Sequence, residues 1–169
     1  MPDHVAQQCL DELQRRLEWL ESVRTGYTTV LADVVQPVPY TEDENFGTHL
    51  YCELFQLNVE REEELDCAAN PPIVGWGHPM YAQITVAPSE SGTTSINAIA
   101  NEIVKDVTRA VFQDPDSAGV YEHTLGGIAN GMDILPPEFI DASDEGPDVL
   151  AIGVRVNYQT RENDPSTQA

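Results

Sequence analysis

The residues of this sequence that could take part in chemistry are its histidines, its cysteines and a few closely spaced carboxylates. The four histidines lie far apart, and the three cysteines form no Cys-x-x-Cys pair: His4, His49, His78, His123, Cys9, Cys52 and Cys67. Their spacing matches no zinc site, disulfide framework or activated cysteine. Carboxylate pairs such as Glu42/Glu44 and Asp114/Asp116 have the chemistry to bind Ca²⁺ or Mg²⁺, but such pairs arise by chance in so acidic a chain. The sequence therefore predicts neither a metal site nor a cofactor site.

Sequence motifs that carry catalysis are also absent. The sequence contains no His-Glu-x-x-His motif, no P-loop, no Gly-x-Ser-x-Gly elbow and no dinucleotide fingerprint. It has no signal-peptide pattern at its start, and no apolar stretch approaches the roughly 18 residues that a membrane helix needs. We therefore expect a protein that is not an enzyme, has no catalytic residue and does not contact a membrane.

Charge is the strongest feature of the composition. Twenty-nine acidic residues oppose eight basic ones, which gives a formal net charge of -21, and Lys105 is the only lysine. The acids are spread along the chain, as is typical of a surface adapted to molar salt, where the Debye length falls to about 3 Å. A generic acidic protein from a moderate environment is the alternative. In either case the surface is unsuited to gripping a phosphate backbone, which requires clustered Lys and Arg.

The hydrophobic pattern predicts two amphipathic helices and several strands. Apolar residues recur at three- and four-residue spacing over Val5–Arg24 and Ser95–Gln113, which predicts the helices. Alternating or β-branched stretches predict strands over Tyr27–Val38, Thr48–Glu60, Met80–Val86, Met132–Leu135, Phe139–Asp141 and Val149–Thr160. We therefore predict an α+β fold, with a mostly antiparallel sheet and two helices packed on one face.

The last strand has the clearest pattern. Apolar residues alternate with small or polar ones, so that Leu150, Ile152, Val154 and Val156 share one face. We expect this face to be buried against Ile99, Ile103 and Val107 of the second helix.

Chain length indicates the domain organisation. The 169 residues suit a single domain. We predict that residues 1–160 form this domain and that residues 161–169 form a polar C-terminal tail that frays.

Two stretches suggest contacts with another subunit. Cys67–Pro79 contains three prolines and two glycines, which predicts a loop, yet it also contains Ile73, Val74 and Trp76. Apolar residues in such a loop either tuck onto the core or form a contact surface. The strand over Thr48–Glu60 is apolar on both sides, so it is either central or intersubunit. The predicted interface residues are Tyr51, Phe55, Ile73, Val74, Trp76, His78, Arg155 and Tyr158.

Three stretches of the chain have a distinctive texture: the opening helix running into VRTGYTTVLADVV, the second helix INAIANEIVKDVTRAVFQD, and the closing strand VLAIGVRVNYQTRENDP. Together with the order of elements, these stretches resemble the tail terminator (tail completion) family of long-tailed viruses. The resemblance spans nearly the whole chain, but it does not include the loop Cys67–Pro79 or the acidic surface. That acidity fits a virus of extreme halophiles.

The resemblance implies a structural protein of the virion, located in the tail and neck region and assembled in the host cytoplasm. Members of the family form a homohexameric ring that caps the tail tube, stops its polymerisation and joins tail to head. The implied partners are further copies of the chain, the major tail tube protein and a head-side connector or stopper. Viral DNA passes through the lumen of the ring without specific binding.

Two alternatives remain open at this point. One is another head–tail connector or neck protein of the same particle. The other is a halophilic cytosolic enzyme or ligand-binding domain, which a deep pocket with converging histidines would favour.

Overall fold

A computed structural model describes residues 4–37, 48–86, 96–117, 120–140, 148–162 and 164–169. The two α-helices are α1 (Val5–Glu18) and α2 (Ile96–Val111), and short 3₁₀ turns span Trp19–Glu21 and Glu63–Leu65. The strands are β1 (Asp33–Val35), β2 (Tyr51–Gln56), β3 (Glu60–Arg61), β4 (Ile73–Val86), β5 (Gly131–Ile134), β6 (Glu138–Ile140), β7 (Asp148–Arg161) and β8 (Asp164–Gln168).

The centre of the sheet is the antiparallel pair of 14-residue strands β4 and β7, which are paired from Ile73↔Arg161 to Val86↔Asp148. On one side, β2 and β3 pair antiparallel with successive parts of β4. On the other side, β6, β5 and β8 pair antiparallel with successive parts of β7. Strand β1 runs parallel to β2, so the sheet is mixed but mostly antiparallel.

Both helices pack on one face of this sheet, which confirms the predicted α+β fold. The core-facing side chains of β4 and β7 are the alternate ones, and Leu150, Ile152, Val154 and Val156 are all buried, as predicted. Ile103 and Val107 of α2 belong to the same core, while Ile99 is partly buried at its margin. Helix α1 adds a leucine stripe to this core, formed by Leu10, Leu13 and Leu17.

The prediction of a loop over the whole of Cys67–Pro79 was wrong, because Ile73–Pro79 is the first half of β4. The glycines that suggested a loop mark places where other groups approach the strand closely. A Cβ atom at Gly75 would lie 2.3 Å from the Cβ of Leu65, and one at Gly77 would lie 2.5 Å from a guanidinium nitrogen of Arg155.

The prediction of a strand over Tyr27–Val38 was largely wrong, because only Asp33–Val35 is a strand. The chain before it is held by polar side chains of α2 instead. The backbone N–H groups of Thr28 and Thr29 donate to Oδ2 of Asp106 at 2.7 and 2.8 Å, and Arg109 donates to the Gly26 carbonyl at 2.8 Å. Burial raises the pKa of Asp106, but the N–H groups of Thr29 and Thr28 outweigh it and hold the pKa below its ordinary value.

Three element ends also differ from the sequence prediction. Helix α1 ends at Glu18 and continues as a 3₁₀ turn only to Glu21, rather than to Arg24. The second predicted strand is shortened to β2 and the start of β3. The expectation of a frayed tail was wrong: β8 pairs with the end of β7 at Thr160↔Gln168, and the N–H of Ala169 donates to the Gln159 carbonyl at 3.0 Å. Its polar sequence carries no apolar alternation that would have indicated a strand.

Candidate assembly surfaces

The structure places half of the predicted interface residues in the interior of the chain. Tyr51, Val74, His78 and Tyr158 are buried within the single chain. These four side chains therefore stabilise the fold and offer little surface to a partner. The other four, Phe55, Ile73, Trp76 and Arg155, are half-buried.

Trp76 does not project from a loop. It lies in β4, packs at the margin of the core, and donates its indole N–H to the Thr160 hydroxyl at 2.9 Å. The prediction that Trp76 projects from a loop was therefore wrong. Trp76 is a strand residue that links β4 to β7.

Phe55 and Arg155 lie on the sheet face that is turned away from the helices. Phe55 stacks on Tyr81 with ring centroids 5.8 Å apart, and the Tyr81 ring lies over Gly153. Arg155 pairs with Glu60 of β3 at 3.1 Å and with Glu62, so it links β7 to β3 and the residue that follows it. The outer face thus combines an aromatic pair with an ion-paired arginine.

The sheet edge at β1 is closed by side chains of α1 and the turn that follows it. The N–H of Val34 donates to a carboxylate oxygen of Glu21 at 3.0 Å, and the Val34 carbonyl accepts from the Gln14 amide at 3.3 Å. The backbone groups of β1 that face away from β2 therefore have partners already, which leaves little capacity for pairing with another chain.

The opposite edge of the sheet, which we call the β5–β6 edge (Gly131–Ile140), carries exposed apolar side chains. Ile134 is 52% exposed and Phe139 is 38% exposed, on either side of Pro136 and Pro137. Proline cannot donate a ladder hydrogen bond, so this edge disfavours strand addition while presenting apolar side chains. The Ile-Leu-Pro-Pro-Glu-Phe sequence was the available signal for this surface, and the sequence-based interface set did not include it.

A second exposed apolar pair lies on the other side of β4 and β7. Leu57 and Val59, in the connection between β2 and β3, are 49% and 43% exposed. The described part of the chain therefore has apolar patches on two opposite sides of its central strand pair.

Basic side chains are largely occupied inside the chain. Arg16 is fully buried: one guanidinium nitrogen donates to the Val111 carbonyl at 2.8 Å, Nε donates to Glu12 at 2.9 Å, and the other nitrogen pairs with Glu122. Six further bases contact carboxylates, carbonyls or aromatic rings, namely Arg15, Arg24, Arg61, Lys105, Arg109 and Arg155. These cations therefore have partners within the chain, although Arg61 and Lys105 remain 58% and 50% exposed.

The described residues that could bind a metal ion or act as nucleophiles lie apart or are buried. Within them, no group of three or more His, Cys, Asp and Glu side chains could hold a metal ion. A cavity of about 510 Å³ between α2 and the residues around Thr28 and Leu50 is lined by one histidine, His49, among the described residues. Burial raises the pKa of the Cys9 thiol to about 12, and burial likewise raises that of Cys52, which disfavours both as nucleophiles.

No helix in the described ranges is both long enough and apolar enough to cross a membrane.

Comparison with known proteins gives no family assignment: no protein-family model matches this chain, and a search of curated proteins finds no match.

Proposed function

We propose that this chain is a structural protein of a viral tail, a tail terminator that forms a ring, caps the tail tube and joins the tail to the head. Its partners would be further copies of the chain, the tail tube protein and a head-side connector. The observation that carries the proposal is the pair of exposed apolar patches on opposite sides of one sheet. The resemblance of three stretches to the tail terminator family supports it independently.

A closed ring needs a heterologous contact, in which two different surfaces of the same chain meet. We assign this contact to the exposed Ile134/Phe139 pair on the β5–β6 edge and the exposed Leu57/Val59 pair on the opposite side. Because Pro136 and Pro137 interrupt the β5–β6 edge, the contact would use side chains rather than continuous strand pairing. In this proposal, each copy places its β5–β6 edge against the Leu57–Val59 connection of the next.

The charge distribution supports a ring through which DNA passes without being bound. The chain carries a net charge of -21, and seven of its eight bases contact groups within the chain. A lumen lined by such a surface would repel the phosphate backbone and let it slide past.

Polar substitutions at the β5–β6 edge are expected to weaken assembly and leave the fold intact. Ile134→Ser and Phe139→Ser remove exposed apolar side chains, and central apolar contacts often contribute about 2 kcal/mol or more to an interface. The measurement is light-scattering mass across a protein dilution series at about 2–3 M salt, where charge repulsion is screened. We expect a ring mass for the parent chain and a shift towards monomer for both variants.

The matched control is Val120→Ser, which truncates an apolar side chain of similar exposure in the connection between α2 and β5. This variant should assemble like the parent chain. A parent chain that stays monomeric at all concentrations would contradict the ring, and edge variants that assemble normally would remove the β5–β6 edge from the interface.

The decisive test of the proposed function uses a virus that lacks this protein. A missing terminator predicts detached heads and tails, with tails of irregular or excess length in electron micrographs. Joined particles with tails of normal length would overturn the proposal.

We further propose that the acidic surface is an adaptation to high salt. With 29 acids against eight bases, mutual repulsion of carboxylates is expected to unfold the chain as salt falls below about 0.5 M, where screening weakens. Circular dichroism during dilution of the salt measures this loss. A spectrum that does not change down to about 50 mM salt, where the Debye length exceeds 10 Å, would count against the adaptation.

A further inference from the structure

Two of the four histidines meet around one buried tyrosine near the start of α1. His78, buried in β4, lies with Nε2 2.8 Å from the Leu57 carbonyl and Nδ1 3.4 Å from the Tyr158 hydroxyl. His4 packs edge-on against the Tyr158 ring, with centroids 6.5 Å apart. We call these residues the His4–Tyr158–His78 cluster.

The contacts of His78 show where one of its ring protons lies. The Leu57 carbonyl can only accept, so Nε2 of His78 carries a proton, while Nδ1 faces the Tyr158 hydroxyl, which can donate or accept. His4 caps α1, because its Nδ1 accepts the backbone N–H of Ala6 at 3.1 Å. Because burial lowers the pKa of His78, its ring is neutral at neutral pH, and Nδ1 then accepts from the Tyr158 hydroxyl.

The surroundings of His78 oppose a positive charge. The titratable groups that act on it among the described residues are His4, which caps α1, and Tyr158 of β7, while Cys9 of α1 acts on Tyr158. None is a carboxylate: burial raises the pKa of Tyr158 to about 12, so it stays neutral, and His4 adds a like charge when it is protonated. Burial lowers the pKa of His78, and the Leu57 carbonyl offsets this only in part.

We infer that the His4–Tyr158–His78 cluster is an acid-sensitive contact, which holds the Leu57–Val59 connection to the sheet at neutral pH and releases it on acidification. A proton on His78 charges a buried ring that has no anionic partner, so opening to water relieves it. This inference does not depend on the proposed function.

The direction of the pH effect follows from the lowered pKa of His78. As the pH falls through the unfolded-state value of about 6.5, the unfolded or opened chain binds more protons than the closed one. The stabilising contribution of the neutral ring is therefore present in full above that value and declines below it.

Amide hydrogen exchange followed by NMR tests the inference at single residues. The reporter is the N–H of Leu57, which donates to the Pro79 carbonyl at 3.0 Å. We expect its protection factor to fall roughly tenfold or more between about pH 7.5 and about pH 5. The N–H of Glu122, which donates to the Phe112 carbonyl at 2.7 Å, should keep its protection.

The variant is chosen to keep the neutral contacts of His78 but remove its titration. In His78→Gln the amide offers a donor to Leu57 and an acceptor to Tyr158. We expect the Leu57 amide of this variant to lose less than about twofold of its protection over the same pH range. His123→Gln, which alters a histidine packed on Phe112, should behave like the parent chain.

Equal loss of protection in the parent chain and in His78→Gln would overturn the inference, and so would constant protection in the parent chain. If His78→Gln does not fold, the pH profile of the parent chain remains decisive, because a Leu57 amide that stays protected at about pH 5 contradicts the inference.

Discussion

Replacing Arg16 with methionine is expected to lower the free energy of unfolding by about 3–5 kcal/mol. The guanidinium is 0% exposed and joins three parts of the chain: α1 through Glu12, the end of α2 through the Val111 carbonyl, and the following segment through Glu122. Methionine keeps the apolar stem but leaves the carbonyl and Glu122 without this donor. The loss also removes a positive charge from the C-terminal end of α2, where the helix dipole favours it.

The matched control is Arg15→Met, one residue earlier in the same helix. Arg15 contacts Glu12, Asp114 and Asp116, but its side chain is 40% exposed. Solvent-screened ion pairs of this kind contribute about 1 kcal/mol or less. Urea unfolding of both variants at constant high salt measures the difference. Equal losses in the free energy of unfolding for the two variants would show that burial of the Arg16 guanidinium adds nothing to stability.

Truncation of Ile152 to alanine is expected to cost about 2–5 kcal/mol of folding stability. Ile152 is 5% exposed, lies in the central strand β7 and is paired with Ala82 of β4, beneath the two helices. Removing three carbons there leaves a cavity that the long, fully paired strands cannot easily collapse.

A graded series makes this result interpretable. Ile152→Val should cost about 0.5–1.5 kcal/mol, because only one methylene is lost. Val23→Ala, at a side chain that is 84% exposed, should change stability by less than about 0.5 kcal/mol. A cost below about 0.5 kcal/mol for Ile152→Ala would place this side chain outside the core.

The parts of the fold that could be predicted from the sequence are those with a long hydrophobic period. The stripe of α2 and the alternation of β7 each extend over more than ten residues, and both were placed correctly. The first half of β4 and the segment before β1 could not be predicted. Their conformations depend on partners distant in sequence, Leu65 and Arg155 for β4 and Asp106 for the segment.

The candidate surfaces were harder to predict than the core. An apolar residue in a strand does not reveal whether another part of the chain covers it, so Tyr51 and Tyr158 were expected at an interface and are buried. Ile134 and Phe139 were not expected at an interface, yet both are exposed. Their exposure depends on β5 and β6 being the last strands of the described sheet. Edge position is a property of topology, which a local pattern does not contain.

The contacts of Arg16 have a consequence for the time at which the chain can fold. Its partners at Val111 and Glu122 are 95 and 106 residues away in sequence, and β4 meets its central neighbour β7 only when residues 148–161 are present. Long sequence separations of this kind slow folding, because a large loop must close before the contact forms. During synthesis, α1 therefore leaves the ribosome well before the groups that bury the Arg16 guanidinium. The docking of α1 must wait until most of the chain has been made.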